Sequence, residues 1–307
     1  MKAIGMKHFL FLFVLLFLFN NLMGQNDHEL RTKKGVTLER TEIRVLHSKI
    51  VDQDYELWVS LPGSYTSSDR YYPLIIVLDP YRSFLIMKAG VDVFSTPPAK
   101  IIPEVILVGI GYGGDESNAL ENYAVGRTRD LTPTYDSIAE ASLGRIMEAS
   151  GFAHCAFRTG GAPLFLEFIR DELLPYIHSN YRADMKNKTL YGYSYGGLFG
   201  LFTLFHAPET FNKYLIGSPS IHYSGGITFL YESEYATSNA DLNAMVFMSS
   251  GSLEKSTMEN MVKMENLLVS RNYPNLKLKT VIFENESHIS CAPAAISRGL
   301  VDLFKSK

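Results

Sequence analysis

Strand-like and helix-like segments alternate along most of the chain, and this alternation limits the possible folds more than any other feature of the sequence. Nearly continuous apolar runs, such as YYPLIIVLDP (71–80) and EVILVGIGYG (104–113), are typical of strands that are covered on both faces. Later segments carry apolar residues at helical spacing. We therefore predict an α/β fold with a mostly parallel central sheet and helices on both faces.

An antiparallel strand pair is predicted ahead of the parallel part of this sheet. RTEIRVLHSKI (40–50) and YELWVSLPG (55–63) alternate between polar and apolar residues and carry β-branched or aromatic side chains. Apolar segments further along the chain predict strands at 188–193, 214–220, 244–250 and 276–284, and helices at 163–177, 196–206, 257–271 and 292–304.

The segment from 114 to 160 lacks strong periodicity. A segment of this length without clear structure is usually functional, so we predict a loop or lid insertion at about 114–162. The preceding GIGYGGD (109–115) resembles a dinucleotide-binding loop, but that motif needs a helix that opens at the glycines. Because a loop is expected there, NAD binding is not predicted.

The start of the chain predicts an exported protein. A basic beginning precedes an apolar run from Phe9 to Phe19, and the chain then turns polar before the small residue Gly24. This pattern is typical of a secretory signal peptide, here over 1–24, followed by a single domain over 25–307. The alternative, an uncleaved membrane anchor, would need a longer apolar run. We expect a periplasmic or secreted protein without stable membrane insertion.

Charge and cysteine content limit the classes of partner and cofactor. The formal net charge is −3 and the two signs are interspersed, which excludes a broad basic field for nucleic acid. Histidine, cysteine and carboxylate residues do not cluster at metal-ligand spacing, so neither a metal ion nor another cofactor is predicted. Cys155 and Cys291 would lie in an oxidising compartment, where a disulfide and two separate thiols are both possible outcomes.

The stretch YGYSYGG (191–197) places Ser194 between two glycines, each two residues away. A strand-like segment precedes it and a helix-like segment follows, and strand, sharp turn and helix form the setting of a nucleophile elbow. Gly192 and Gly196 permit the close backbone approach of such a turn, and Gly197 lets the helix pack beneath it. We predict that Ser194 is a nucleophile, the alternative being a simple glycine turn.

A serine hydroxyl needs a positioned base, and in this type of fold the base follows a late strand. His288 comes directly after the last predicted strand and is therefore the predicted base. His206 ends the helix after the serine, where it is expected to cap carbonyl groups. His222 comes too early in the chain for the base, and we expect it to line the substrate pocket.

The third member of a catalytic triad is a carboxylate that holds the imidazole. Glu254 follows the strand before His288 and is the predicted acid. Glu284 and Glu286 share the loop of the histidine and remain alternatives. Asp241 precedes the strand and would lie at its opposite end.

Acyl transfer also needs two N–H donors that stabilise the oxyanion. One donor is expected to be Tyr195, the residue after the serine. The other is expected in the loop LDPYRSF after the third strand, where Pro80 has no N–H and Tyr81 is the next residue.

Two arginines are candidates for contacts with the substrate. Arg127 and Arg129 could grip an anionic or oxygen-rich group. The alternative is that they pair with the nearby Asp130 or remain solvated.

These motifs together resemble the α/β-hydrolase "putative esterase" family, and most of all its siderophore hydrolases that open ferric-enterobactin-type trilactones. The resemblance covers roughly residues 40–306. It rests on GRTRDLTP (126–133), GGAPLFLEFIRDELLPYI (160–177), YGYSYGGLFGL (191–201), FNKYLIGSPSIHY (211–223), SGSLE (250–254) and SHISCAPAAISRGLVDLF (287–304).

The resemblance implies an α/β-hydrolase fold and a serine esterase that needs no cofactor. It assigns Arg129 to the substrate pocket and adds a serine–histidine dyad as an alternative to the triad. Feruloyl and acetyl-xylan esterases share the family, so a glycan ester is an alternative substrate to a small-molecule siderophore ester. A non-catalytic binding protein on the same fold is the remaining alternative. His222 stands where siderophore esterases tend to carry tryptophan.

Overall fold

An eight-stranded sheet forms the centre of the residues that this computed structural model describes, which are 37–114, 118–151 and 156–305. The predicted signal peptide and Cys155 lie outside these residues. The strands are β1 (Thr41–Ser48), β2 (Gln53–Ser60), β3 (Tyr72–Leu78), β4 (Ile106–Tyr112), β5 (Ala183–Tyr193), β6 (Lys213–Gly217), β7 (Met245–Gly251) and β8 (Lys277–Phe283).

The order of the strands is β1-β2-β4-β3-β5-β6-β7-β8. The strand β2 pairs antiparallel with both β1 and β4, and every other neighbouring pair is parallel. This confirms the predicted antiparallel N-terminal pair and the mostly parallel sheet. The carboxyl ends of the six parallel strands therefore meet at one edge of the sheet.

The helices cover both faces of the sheet, as predicted. Alternate residues of β3 point in opposite directions: Leu74 and Ile76 join one buried apolar cluster, while Ile75 and Val77 join the other. The helices are α1 (Pro80–Ser95), α2 (Ala119–Asp130), α3 (Ser137–Ala149), α4 (Ala162–Phe168), α5 (Leu174–Asn180), α6 (Tyr195–His206), α7 (Ile227–Ser238), α8 (Lys255–Arg271) and α9 (Cys291–Phe304).

Two segments that were predicted as loops contain helices. The segment of the predicted loop or lid insertion at about 114–162 contains α2 and α3 and is not a plain loop, and the loop expected after the third strand is the beginning of α1. The helix α2 was missed because the residues that it buries are mostly polar or small, among them Gly126, Thr128 and Asp130. A dinucleotide-binding loop was rejected because a loop, and not a helix, was expected after GIGYGGD (109–115), and α2 removes that reason. The helix nevertheless begins only at Ala119 and does not open at the glycines of that motif.

The helix α3 buries none of its residues, but its segment AEASLGRIM (139–147) carries apolar residues at helical spacing that the prediction of a loop overlooked. The sequence did carry a signal for its start: the Asp136 carboxylate caps the helix by accepting hydrogen bonds from the N–H groups of Ile138 and Ala139, at 3.0 and 2.9 Å. None of the helices in the described part of the chain is both long and apolar enough to cross a bilayer.

Candidate active site

Five polar residues, among them the predicted Ser194, Glu254 and His288, lie where parallel strands end. Asp79 follows β3, Ser194 follows β5, Ser218 follows β6, Glu254 follows β7 and His288 follows β8. Neighbouring parallel strands end at similar heights, as the pairing of Tyr193 with Gly217 at the ends of β5 and β6 shows. The carboxyl edge of a parallel sheet is where such folds place their binding sites.

Ser194 occupies a strained turn between β5 and α6. Its φ is 60° and its ψ is −116°, a combination that a non-glycine residue adopts only at an energetic cost. Gly192 is required here, because a Cβ at that position would lie 2.0 Å from the carbonyl oxygen of Gly196. A Cβ on Gly196 would meet its nearest atoms at 3.5 Å, an ordinary contact. The turn therefore depends on Gly192 more than on Gly196. It holds Ser194 at the N-terminal end of α6.

His288 and Glu254 form a close pair at this edge. Nδ1 of the imidazole lies 2.5 Å from Oε2 of Glu254, whose side chain is 6% exposed. The other carboxylate oxygen accepts hydrogen bonds from Ser218 Oγ at 2.7 Å and from the Gly251 N–H at 2.9 Å. Burial alone would raise the pKa of Glu254, but the bonds from His288, Gly251 and Ser218 together lower it below its ordinary value. Glu254 is thus ionised at neutral pH.

The pairing fixes which ring nitrogen of His288 is available. With Nδ1–H donated to a carboxylate, the proton-accepting lone pair of a neutral imidazole is on Nε2. His288 and Ser194 line one cavity of about 620 Å³. Of the three candidate carboxylates, Glu254 is the one that contacts this histidine.

Two further side chains, which the sequence analysis did not assign to the site, hold the pair in place. The Tyr193 hydroxyl lies 2.8 Å from the carbonyl oxygen of His288, to which it can donate, and 2.7 Å from Ser218 Oγ. Ser218 in turn donates to Glu254. Since that bond uses the one Ser218 proton, the single Tyr193 proton goes either to the His288 carbonyl oxygen or to Ser218, and both acceptors lie within hydrogen-bond distance.

The predicted oxyanion donors both lie in the first turn of a helix. Tyr195 is the first residue of α6, and Tyr81 is the second residue of α1, after Asp79 with a left-handed φ of 52°. The first N–H groups of a helix have no acceptor within it and can bind an anion. The Tyr81 side chain packs against Trp58 of β2, and its hydroxyl donates to the carbonyl oxygen of Tyr112, the last residue of β4, at 3.0 Å.

The two candidate arginines lie in different places. Arg127 lines the cavity of Ser194, and its Nε and Nη2 donate to the two carboxylate oxygens of Asp79 at 2.8 and 2.9 Å. Arg129 makes the same kind of two-point contact with the buried Asp130. It lines a separate, smaller cavity of about 250 Å³.

The remaining candidates are not brought to this cavity. His222 is exposed and does not belong to the lining of the cavity. His206 contacts the Phe202 carbonyl oxygen through Nδ1 at 2.9 Å, as expected for a helix-capping histidine. Cys291, the first residue of α9, is buried, and burial raises the pKa of its thiol to about 11.

The sequence matches the model of the family described as "Putative esterase" over residues 48–246. The chain belongs to this esterase family. The match begins at the end of β1 and ends in β7, so it includes the turn of Ser194 and stops before His288.

Comparison with individual proteins agrees with this assignment. The esterase is 32% identical to the ferri-bacillibactin esterase BesA of Bacillus subtilis (strain 168) over 281 residues, 88% of this chain and 91% of that protein. The crystal structure of the BES protein from Bacillus cereus superposes with a TM-score of 0.75 at 29% identity, covering 90% of this chain and 100% of that one. The siderophore hydrolase EstB from Aspergillus nidulans shares the fold, with a TM-score of 0.72 at 22% identity over 89% and 98% of the two chains.

These comparisons confirm the predicted family and the α/β-hydrolase fold. Membership of an esterase family makes the chain a hydrolase of esters. The similarity to BesA and to the Bacillus cereus protein extends over 88% and 90% of this chain.

Proposed function

We propose that this esterase is an exported serine hydrolase that cleaves carboxylic esters with Ser194, His288 and Glu254. One observation carries the proposal: a strained Ser194 and a His288 held by Glu254 at 2.5 Å line the same cavity. A nucleophile, a base and a group that orients the base are the three parts that activation of a serine requires.

The first half of the reaction forms an acyl-enzyme. Ser194 Oγ attacks the carbonyl carbon of the ester, and Nε2 of His288 takes the hydroxyl proton. Glu254 remains ionised and stabilises the imidazolium. The N–H groups of Tyr195 and Tyr81 stabilise the oxyanion of the tetrahedral intermediate. The intermediate then collapses, and His288 gives its proton to the departing alcohol.

The second half releases the acid. A water molecule replaces the alcohol and gives a proton to His288 as it attacks the acyl carbon. Collapse of the second intermediate breaks the bond to Ser194, which takes the proton back. The net reaction consumes one water and yields one alcohol and one carboxylic acid.

Siderophore trilactone-type esters are the substrates that we propose. The support is that BesA and EstB are named as a ferri-bacillibactin esterase and a siderophore hydrolase. We expect the purified enzyme to hydrolyse a catecholate trilactone at least tenfold faster, in kcat/KM, than acetylated or feruloylated xylan. The measurement is product release by chromatography, with the Ser194→Ala variant as background.

Two outcomes of this panel would contradict the proposed substrate. Faster release of acetate or ferulate from xylan would identify a carbohydrate esterase. Tight binding of the trilactone without turnover of any ester would identify a non-catalytic binding protein.

Tyr193 is expected to act as a positioning residue for His288. Its hydroxyl is 2.8 Å from the His288 carbonyl oxygen, and losing one such buried hydrogen bond costs about 1–3 kcal/mol. We expect Tyr193→Phe to lower kcat roughly tenfold with little change in KM, since the imidazole is displaced while the cavity is kept. Steady-state kinetics on a chromogenic ester measures both constants.

The matched control is Tyr191→Phe. Tyr191 lies on the same strand, and its hydroxyl contacts Ser83 Oγ at 3.3 Å instead of the histidine. Its variant should keep the wild-type kcat. Equal kcat values for the two variants would show that Tyr193 has only a structural role.

A further inference from the structure

The cavity that Ser194 and His288 share is mainly apolar. Helices α1, α3 and α9 contribute aliphatic side chains, and its volume of about 620 Å³ lies within the usual range for small-molecule sites. Apolar residues that line it include Ile86, Leu143, Met147, Phe157 and Ile296. A substrate group that fills this space would exchange water for hydrocarbon.

Among the residues that the structure describes, Asp79, Arg82 and Arg127 are the permanently charged side chains that line this cavity, and the charges of Asp79 and Arg127 cancel. Asp79 is 4% exposed and binds Arg127 through both carboxylate oxygens, so this pair carries no net charge. An anion that approached Arg127 would also meet the negative charge of Asp79. Arg82 is exposed, with its guanidinium 5.9 Å from the centre of the Tyr123 ring. The buried part of the cavity thus offers no uncompensated cation.

Apolar side chains also line the cavity from positions where they remain accessible to solvent. Leu120, Ile146 and Ile289 are 50%, 56% and 70% exposed. Leu143, Ile146 and Met147 belong to α3, the helix that buries none of its residues in the core. These side chains gain burial only when something apolar covers them, which favours an apolar ligand.

We infer that this cavity binds an uncharged acyl arm of the ester through the apolar parts of that arm and discriminates against an anionic one. For the proposed trilactones, this favours an arm whose aromatic ring carries no phenolate charge. The inference rests on the proposed serine mechanism, because the acyl group stays bonded to Ser194 after the alcohol has left. The cavity lined by that serine must therefore hold the acyl arm during the second half of the reaction.

The test compares three chromogenic substrates with one leaving group: 4-nitrophenyl acetate, 4-nitrophenyl hexanoate and the mono-4-nitrophenyl ester of adipic acid. The hexanoyl and adipoyl arms have six carbons each and differ at the tip, which is a methyl group or a carboxylate. Each methylene that enters an apolar site contributes up to roughly fourfold in kcat/KM. We expect hexanoate to exceed acetate by roughly 30-fold and the adipate ester by roughly 100-fold, after correction for alkaline hydrolysis rates.

Two variants test whether this cavity determines the selectivity between the hexanoate and adipate esters. Met147→Lys introduces a cation on α3, where the absence of core contacts makes the substitution tolerable for folding. It should lower kcat/KM for hexanoate and raise it for the adipate ester, reducing their ratio at least tenfold. Ala141→Lys adds the same charge to an exposed residue of the same helix that does not line the cavity, and should keep the wild-type ratio.

The possible results separate this inference from the proposed mechanism. Equal or faster hydrolysis of the adipate ester, or of acetate compared with hexanoate, would overturn the inference while the reaction still required Ser194. Hydrolysis that survives Ser194→Ala, or no turnover of any of the three esters, would overturn the proposed mechanism and with it the inference.

Discussion

Replacing Ser194 with alanine should lower kcat for ester hydrolysis by roughly 10⁵- to 10⁶-fold, because the acyl-enzyme can no longer form. Substrate binding should change little, since the removed hydroxyl hydrogen-bonds only to Ser220 Oγ, at 3.4 Å, within the part of the chain that the structure describes. The measurement is single-turnover hydrolysis of a chromogenic ester, combined with an equilibrium binding assay for a non-hydrolysable amide analogue.

Ser220→Ala is the matched control for this substitution. The Ser220 hydroxyl is the one that contacts Ser194 Oγ, and its removal leaves the residues of the strained turn at Ser194 unchanged. This variant should stay within about tenfold of the wild-type kcat, in line with the loss of one long hydrogen bond. A large loss in Ser220→Ala together with activity in Ser194→Ala would mean that the nucleophile is the other serine.

Replacing Glu254 with glutamine should lower kcat by roughly 10³- to 10⁴-fold. The amide keeps the shape of the side chain but removes the negative charge that stabilises an imidazolium. Its NH₂ group can also face Nδ1, which would favour the wrong tautomer of His288. The lowered pKa of Glu254 means that the wild-type carboxylate is ionised throughout the neutral range, so the loss should be seen at every pH from 6 to 9.

Glu284→Gln and Glu286→Gln are the controls for this prediction, since both residues share the loop of His288. Each should keep kcat within about threefold of the wild type. If the glutamine variant at 254 also stays near the wild type, a serine–histidine dyad is the better description. A severe loss at 284 or 286 alone would move the acid to that residue.

The sheet could be predicted from sequence because its strands have local sequence patterns. A run of apolar residues such as 71–80 depends only on burial on both faces. The strand predicted at 188–193 follows from the same property and is the second half of β5, whose less buried first half was not predicted. The turn at Ser194 could be predicted for a similar reason, since the strand, the glycines around the serine and the helix are contiguous in the sequence.

The contacts around His288 could not be predicted in the same way, because they join separate strands. The pairing of Glu254 with His288 was expected from chain order alone, whereas the bond from Tyr193 to the His288 carbonyl spans 95 positions and has no local signal. Arg127 and Asp79, 48 positions apart, are a second example. The alternative that the two candidate arginines pair with Asp130 is correct for Arg129 and wrong for Arg127.

The helices α2 and α3 were missed for different reasons. The helix α2 buries mostly polar or small residues and so lacks the apolar periodicity by which helices are recognised. The helix α3 does carry apolar residues at helical spacing, which line the cavity and were overlooked, and the capping aspartate Asp136 was a second signal. Weak periodicity near a motif is therefore compatible with helices that line a site.

The most direct test of the central claim is labelling with a fluorophosphonate probe, followed by peptide mapping. We predict that the wild-type enzyme and the Ser220→Ala variant carry one adduct each, on the peptide that contains Ser194. The Ser194→Ala variant should carry none. An adduct that persists in Ser194→Ala, or that maps to another residue in the wild type, would contradict the account.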